Sequence, residues 1–194
     1  MTKDTEVKLT DKFCSDYAEQ RQRLDFLKLS DNDINLLREL LPLIEKHVDN
    51  IIKEFYNELL KYREAKKFFT DDSVVKHVQD AQKNYLLDIF KAEFDDSYFE
   101  RRLQIGAVHD KIGLPIKWYI GSHFKYFNKI VEVIVKHAGL DKETELEAIL
   151  SVIKVMNLDE QLAMENYTSL SHRIKAAEKR IQETIQGLSN LNLK

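Results

Sequence analysis

One segment of the chain decides the fold: Arg101-Arg102-Leu103-Gln104-Ile105-Gly106-Ala107-Val108-His109-Asp110-Lys111-Ile112-Gly113-Leu114-Pro115-Ile116-Lys117-Trp118-Tyr119-Ile120-Gly121. The pattern predicts the end of one helix, a tight break and the start of the next helix. Gly113 suits the left-handed position after a helix C-terminus, because it has no Cβ to clash there. Pro115 suits the opening turn of a new helix, where its missing N–H is no loss.

His109 lies one turn before this break, on a helix end that is largely apolar. A neutral imidazole held on a fixed helix can act as an axial ligand of haem iron. A single histidine near a helix end is more often a surface or capping group. The segment alone therefore leaves both interpretations open.

Composition favours an all-helical protein. The chain has 194 residues, enough for one sizeable domain plus an extension, and 43% of them are hydrophobic. Only 5 glycines and 2 prolines occur, so turns are few and long amphipathic runs are many. We therefore predict the all-α class.

Charge and cysteine content exclude several kinds of function. The net charge of −3 is unlike the basic face of a nucleic-acid-binding protein. The single cysteine, Cys14, excludes an internal disulfide and a cysteine-built metal site, and it fits a cytoplasmic location. The N-terminus lacks the pattern of a signal peptide. No run of about 18 apolar residues occurs, so no membrane span is expected.

Helical periodicity divides the chain into successive segments. Ser30 is expected to cap a helix with Asp33 at the capping-box position, and Pro42 to separate that helix from the next. The predicted helices cover 9–29, 30–41, 43–62, 63–69, 71–91, 95–109, 115–137 and 141–166. Beyond them, Ile174, Ile181 and Leu188 lie seven residues apart in a polar segment, which is a coiled-coil spacing. This segment is either a solvated tail or a signalling helix leading to an output module.

Several of these segments resemble the globin-coupled sensors, which are bacterial and archaeal haem globin domains joined to chemotaxis, cyclase, kinase or other output modules. Residues 106–121 closely resemble the proximal motif of this family, and Phe55-Tyr56 matches its distal pair. Residues 23–30 resemble its N-terminal signature, and the whole similarity covers about residues 10–170. The resemblance implies a globin fold with an extra N-terminal helix, no clear D helix and a C-terminal helical extension. It places the sensor domain at 1–170 and a helical linker at 171–194.

The resemblance also implies the residues that bind haem b. His109 would be the proximal iron ligand and Tyr56 the distal hydrogen-bond donor; an ordinary core tyrosine is the alternative for Tyr56. Tyr119 matches a proximal tyrosine that responds to ligation, or it only packs. Phe69, or Phe68, would pack on the haem. The remaining expected wall residues are Ile105, Ile112, Trp118 and Leu86.

On the expected distal helix, Val78, Ala81 and Gln82 occupy the stretch that faces the gas in this family. Ala81 lacks the hydroxyl that some relatives carry there. Gln82 either offers its amide to the gas or points to solvent. His77, about one turn away, reads as a solvated histidine beside Lys76.

These inferences lead to a haem-based gas sensor, with dioxygen as the expected gas and no catalytic residues in this chain. By the resemblance, the last two globin helices build a homodimer, for which Ile134, Ile149, Val152 and Ile153 are candidate surface residues. One alternative is a haem-free globin-like scaffold that binds protein partners, which would not need His109. Another is a globin dioxygenase or nitric-oxide scavenger, which needs an electron source, and the chain has no reductase-like segment.

Overall fold

The computed structural model describes the backbone of residues 17–191 and, beyond Glu165, the side chains of only Tyr167, Lys179 and Ile181. Within that range the chain forms helices and no strand, which confirms the all-α prediction. The helices are α1 (Tyr17–Phe26), α2 (Asp31–Leu59), α3 (Arg63–Lys66), α4 (Asp72–Lys91), α5 (Asp96–Lys111), α6 (Ile116–His137) and α7 (Lys142–Leu191).

The predicted break at Pro42 is wrong, because α2 continues through this proline. Pro42 removes one hydrogen bond, the one to the carbonyl of Arg38, but both residues lie on the exposed side of the helix, where water reaches the carbonyl. The apolar stripe runs through the proline in helical register, with Leu37, Leu40 and Ile44 all buried. Burial of this continuous stripe outweighs the lost bond.

Other helix boundaries also differ from the predictions. The first helix begins at Tyr17 in the described range, and the predicted start at Leu9 lies outside it. The short helix after α2 ends at Lys66 instead of Phe69. The predicted last helix and tail are one continuous helix, α7. Ile181 is exposed, while the side chains of Ile174 and Leu188 lie outside the described residues.

The core lies between α2 and the three helices α4, α6 and α7, while α5 packs mainly on α7. At the crossing of α5 and α7, Gly106 lies against the backbone of Ala163. A Cβ at Gly106 would lie 2.3 Å from the Ala163 carbonyl oxygen, so only glycine permits this approach.

Two of the residues expected at a dimer surface belong instead to this core. Ile134 and Val152 are fully buried, because their positions on α6 and α7 face the interior. Ile149 is half-buried, and Ile153 remains exposed.

The residues that cap the start of α2 also bind side chains of α7, far away in the sequence. The predicted capping box of Ser30 and Asp33 is present. The Asp33 carboxylate also accepts hydrogen bonds from the Ser151 hydroxyl, at 2.7 Å, and the Lys154 ammonium, at 2.8 Å. These hydrogen bonds outweigh burial and lower the pKa of Asp33 to about 2. The start of α2 is thereby held on α7 by a charged group.

Helices α4 and α5 meet only near the corner that joins them. There Arg101 lies 3.0 Å from Asp88, and the Arg102 guanidinium donates to the Tyr85 carbonyl at 3.3 Å. Away from this corner the two helices do not pack along each other. The second half of α5, which carries His109, therefore lies apart from the first half of α4.

Candidate functional site

A backbone cap holds His109 in place at the end of α5. Gly113 has φ 68°, and its N–H donates to the Asp110 carbonyl at 3.0 Å. The Leu114 N–H donates to the carbonyl of His109 itself, also at 3.0 Å. This pair of bonds is a Schellman motif, and Gly113 takes the left-handed position that the sequence predicted. The motif fixes the backbone that presents the imidazole.

The His109 imidazole is neutral, and its Nε2 makes no hydrogen bond with the described residues. Burial lowers its pKa, and the backbone carbonyl of Ile105, one turn earlier, opposes that fall only in part. Its Nδ1 is buried and lacks a hydrogen bond of standard geometry. A neutral imidazole is the form that binds metal, and an Nδ1–H facing a backbone carbonyl leaves Nε2 as the ligand atom.

Tyr119 on α6 lies beside His109, as the sequence analysis allowed. The two ring centroids are 5.2 Å apart, and Tyr119 in turn stacks on His123 at 5.6 Å. Burial raises the pKa of Tyr119 well above its usual value, so the phenol keeps its proton. Tyr119 therefore contacts the His109 ring on one side and the His123 ring on the other.

A buried polar network continues from Tyr119 to α7. The Tyr85 hydroxyl lies 2.6 Å from Nε2 of His123, whose pKa burial lowers to about 4. The Arg102 guanidinium lies between the rings of Tyr85 and Tyr98, 4.4 and 4.3 Å from their centroids. Arg102 also pairs with Asp159 of α7.

Tyr56 lies on α2 with its hydroxyl unused. The side chain is 2% exposed, and its ring makes edge contacts with Phe55 at 5.3 Å and Phe69 at 5.6 Å. Among the described residues its hydroxyl makes no hydrogen bond. Burial raises the pKa of Tyr56, so the phenol remains a proton donor. The structure thus brings Tyr56 and Phe69 together.

Gln82 on α4 does not point to solvent. Its Oε1 accepts a hydrogen bond from the hydroxyl of Tyr126 on α6. Tyr126 is buried and stacks on Phe55, with the ring centroids 4.2 Å apart. Gln82, Tyr126, Phe55 and Tyr56 therefore form one group built from three helices.

The other expected site residues on α4 differ in burial. Val78 is half-buried against the core, and Ala81 is exposed. His77 is exposed, in accordance with its interpretation as a solvated histidine. Leu86 is fully buried in the core cluster.

The expected wall residues on the proximal side also differ. Ile105 is half-buried, and Ile112 is 50% exposed. Trp118 lies against Tyr62, at 5.3 Å between ring centroids, and its buried indole N–H makes no hydrogen bond with the described residues. Trp118 is therefore joined to the α3 region, and no ring contact joins it to His109 within the described residues.

The surroundings of His109 have features that a haem requires. Apolar side chains beside His109 are left exposed, with Val108 at 58% and Ile112 at 50%. The first residue of α6, Ile116, is 46% exposed. A flat apolar ring would cover such side chains, while the unpartnered imidazole supplies a nitrogen for its metal. The residues present thus fit a haem.

Comparison with known proteins agrees with this geometry. Residues 16–173 match the sequence model of the family described as Protoglobin. The chain belongs to the protoglobin family. This protoglobin chain is 28% identical over 168 residues, or 82% of its length, to the Heme-based aerotactic transducer HemAT of Halobacterium salinarum. It spans only 34% of that relative's length.

Solved structures show that the protoglobin chain has the fold of globin-coupled sensor domains. The globin domain of the Geobacter sulfurreducens globin-coupled sensor superposes with a TM-score of 0.72 at 20% identity, covering 76% of the chain and 96% of that domain. The ferric globin domain of E. coli DosC superposes with a TM-score of 0.67 at 15% identity, covering 76% and 99%. At these identities the likeness concerns the fold alone.

Sequence reasoning missed Tyr126 and His123 in this protoglobin. Tyr119, His123 and Tyr126 follow one another at four and three residues, so they share one face of α6. That spacing indicates a row of hydrogen-bonding side chains along one face of an otherwise apolar helix. For the described part of the protoglobin, no helix has the length and apolar character needed to cross a membrane.

Proposed function

We propose that this chain is a haem-based gas-sensing globin domain with dioxygen as its gas. The observation that carries the proposal is the half-buried, neutral His109, which is fixed by the Gly113 cap and leaves its Nε2 for a metal. Membership of the protoglobin family supports it, as does the name of the HemAT relative, a heme-based transducer.

Each residue group has a part in this function. Haem b, when bound, supplies an iron that takes up a diatomic gas reversibly. His109 holds the group from α5. Tyr56 offers a neutral phenol O–H from α2, and a donor toward the gas favours a ligand that carries partial negative charge. Phe69 packs on Tyr56 and limits the room around that donor.

The proposal includes a homodimer of two copies of this chain. Phe124 and Val135 on α6 are exposed and three helical turns apart, so they share one face. Leu146, Leu150 and Ile153 on α7 are exposed at helical spacing. An apolar surface on two neighbouring helices suits a self-complementary interface with a second copy. Residues 171–191 of α7 then lead away from this interface and carry the ligand state onward.

The deciding experiment is an absorbance spectrum after reconstitution with haem b. We expect an intense Soret band that shifts with oxygen and with carbon monoxide. His109→Ala is expected to lose stable haem retention, or to regain it only with added imidazole. The matched control is His77→Ala, which removes an exposed histidine. A colourless wild-type protein, or an unchanged spectrum for His109→Ala, would refute the proposal.

A further inference from the structure

Tyr126 determines which end of the Gln82 side chain is free. The Tyr126 hydroxyl donates to Oε1 of Gln82, across the gap between α6 and α4. A glutamine amide has one acceptor oxygen and an amino group with two donor hydrogens. Because this hydrogen bond directs Oε1 at Tyr126, the amino group is the end that can donate to another partner.

The Tyr126 ring has little freedom to choose another partner. It is 3% exposed and stacks on Phe55 with an interplanar angle of 28°. Burial raises its pKa, and the nearby Tyr56 phenol adds to that rise, so Tyr126 keeps its proton and remains the donor. The packing thus holds the hydroxyl at Gln82 in a fixed direction.

The orientation of the amide matters because of the neighbouring donor. Tyr56 follows Phe55 on α2, and the Phe55 ring contacts both tyrosine rings, Tyr56 at 5.3 Å and Tyr126 at 4.2 Å between centroids. An Nε2 amino group on this side adds a donor to the one that Tyr56 provides. The reverse orientation would instead present Oε1, which repels a ligand with partial negative charge. Ala81 has no donor to offer.

We propose that Tyr126 is a positioning residue that, by donating to Oε1 of Gln82, turns the Gln82 amino group into a second hydrogen-bond donor toward the gas ligand. This inference rests on the proposed haem function. It assigns oxygen retention to two donors, Tyr56 and Gln82. The Gln82 donor then depends on Tyr126 of α6, which does not itself touch the gas.

The test compares Tyr126→Phe, Gln82→Leu and the double variant. Tyr126→Phe keeps the ring that stacks on Phe55 and removes only the hydroxyl. Each single variant should release oxygen about 3- to 10-fold faster, with little change for carbon monoxide. The double variant should release oxygen no faster than Gln82→Leu alone, because both changes remove the same donor. Tyr62→Phe, which removes the hydroxyl of an exposed tyrosine, is the matched control.

A second readout uses the haem-free protein. The side-chain amide carbon of Gln82, observed by NMR, should shift on Tyr126→Phe and stay in place on Tyr62→Phe. An unmoved resonance would overturn the hydrogen bond itself. If the double variant released oxygen faster by the product of the two single effects, the coupling between Tyr126 and Gln82 would be overturned. Slower oxygen release in Gln82→Leu would show that Oε1, and not Nε2, faces the gas. A wild type that takes up no haem would instead remove the proposed function on which the inference depends.

Discussion

The Arg102 guanidinium of α5 pairs with the Asp159 carboxylate of α7, with Nε 3.0 Å from Oδ2, and both side chains are almost completely buried. The two atoms are not aligned as a hydrogen bond, so their attraction is Coulombic. The Tyr98 hydroxyl donates to the same carboxylate at 2.5 Å. A charged pair thus stabilises the packing of α5, which carries His109, on the long last helix.

Removal of one member of this pair should be strongly destabilising. Arg102→Met leaves Asp159 as a buried charge without its cation, and we expect a loss of about 3–5 kcal/mol in the free energy of unfolding. Urea unfolding measures it. The double variant with Asp159→Leu should regain much of the loss. The control Arg101→Met, at the more exposed pair with Asp88, should cost about 1 kcal/mol or less. Equal losses for the two arginines would contradict a special role for the buried pair.

The stability of the haem-free protein should fall as the pH falls from about 6.5 to 4. Burial lowers the pKa of His123 to about 4, so the unfolded chain takes up a proton that the folded protein refuses. The loss of stability that His123 causes is absent above its ordinary pKa near 6.5 and complete below about 4. It is on the order of 3 kcal/mol at most.

The groups that face His123 are the Tyr85 and Tyr119 phenols, the Asp159 and Arg102 charges, and Glu160 at 4.0 Å from Nδ1. Urea unfolding at several pH values should show a shallower acid loss in His123→Gln than in wild type. His77→Gln, on the exposed face of α4, should keep the wild-type slope. Identical slopes in wild type and His123→Gln would refute this assignment.

Two glycines within helices should respond oppositely to alanine. Gly106→Ala places a Cβ 2.3 Å from the Ala163 carbonyl oxygen, so α5 and α7 must move apart, at a cost of about 1–3 kcal/mol. At Gly121 of α6 no atom lies within 4 Å of such a Cβ. Gly121→Ala should therefore stabilise the protein by about 0.5–1 kcal/mol through helix propensity. Thermal unfolding of both variants checks the prediction, and stabilisation by Gly106→Ala would contradict the close crossing.

Tyr56→Phe should release oxygen faster and bind carbon monoxide nearly as before. The substitution keeps the ring contacts with Phe55 and Phe69 and removes only the hydroxyl. Loss of about 1–2 kcal/mol of oxygen stabilisation corresponds to roughly ten-fold faster dissociation. Stopped-flow measurement of both gases provides the comparison. Equal oxygen dissociation rates in the two proteins would remove Tyr56 from the site.

A charge on the exposed face of α7 should separate the proposed dimer. Leu150 is 45% exposed and lies one turn from Leu146, so Leu150→Glu would place a carboxylate within the apolar surface. We expect a monomer by sedimentation at micromolar concentration, where the wild type is a dimer. Phe26→Glu, which alters an exposed apolar residue on α1, should leave the dimer intact. A wild-type monomer would defeat the dimer proposal.

Local patterns predicted the parts of the structure that neighbouring residues determine. Gly113 adopts the expected left-handed cap, and Ser30 and Asp33 form the expected capping box. Pro42 led to a wrong helix boundary. Its missing N–H suggested a break, but the apolar stripe that continues past it keeps the helix intact. Residues far apart in sequence also escaped prediction. Arg102 reads as a solvated charge until Asp159 is placed beside it.

The side chain of Gln82 shows the same limit. Whether its amide meets solvent or a tyrosine depends on how α6 packs against α4, and no spacing within either helix contains that information. Long-range pairing of polar groups is a property of the packed fold.

The continuity of α7 from Lys142 to Leu191 makes this helix a lever. Asp159 and Ala163 hold one part of it against α5, while residues 171–191 extend further without an interruption that could absorb a rotation. At about 1.5 Å per residue this outer part is roughly 30 Å long, so a tilt of about 5° at the core moves its far end by about 3 Å. A twist about the helix axis would likewise turn the outer side chains through the same angle. A displacement too small to disturb the core would thus reach the far end of α7 enlarged.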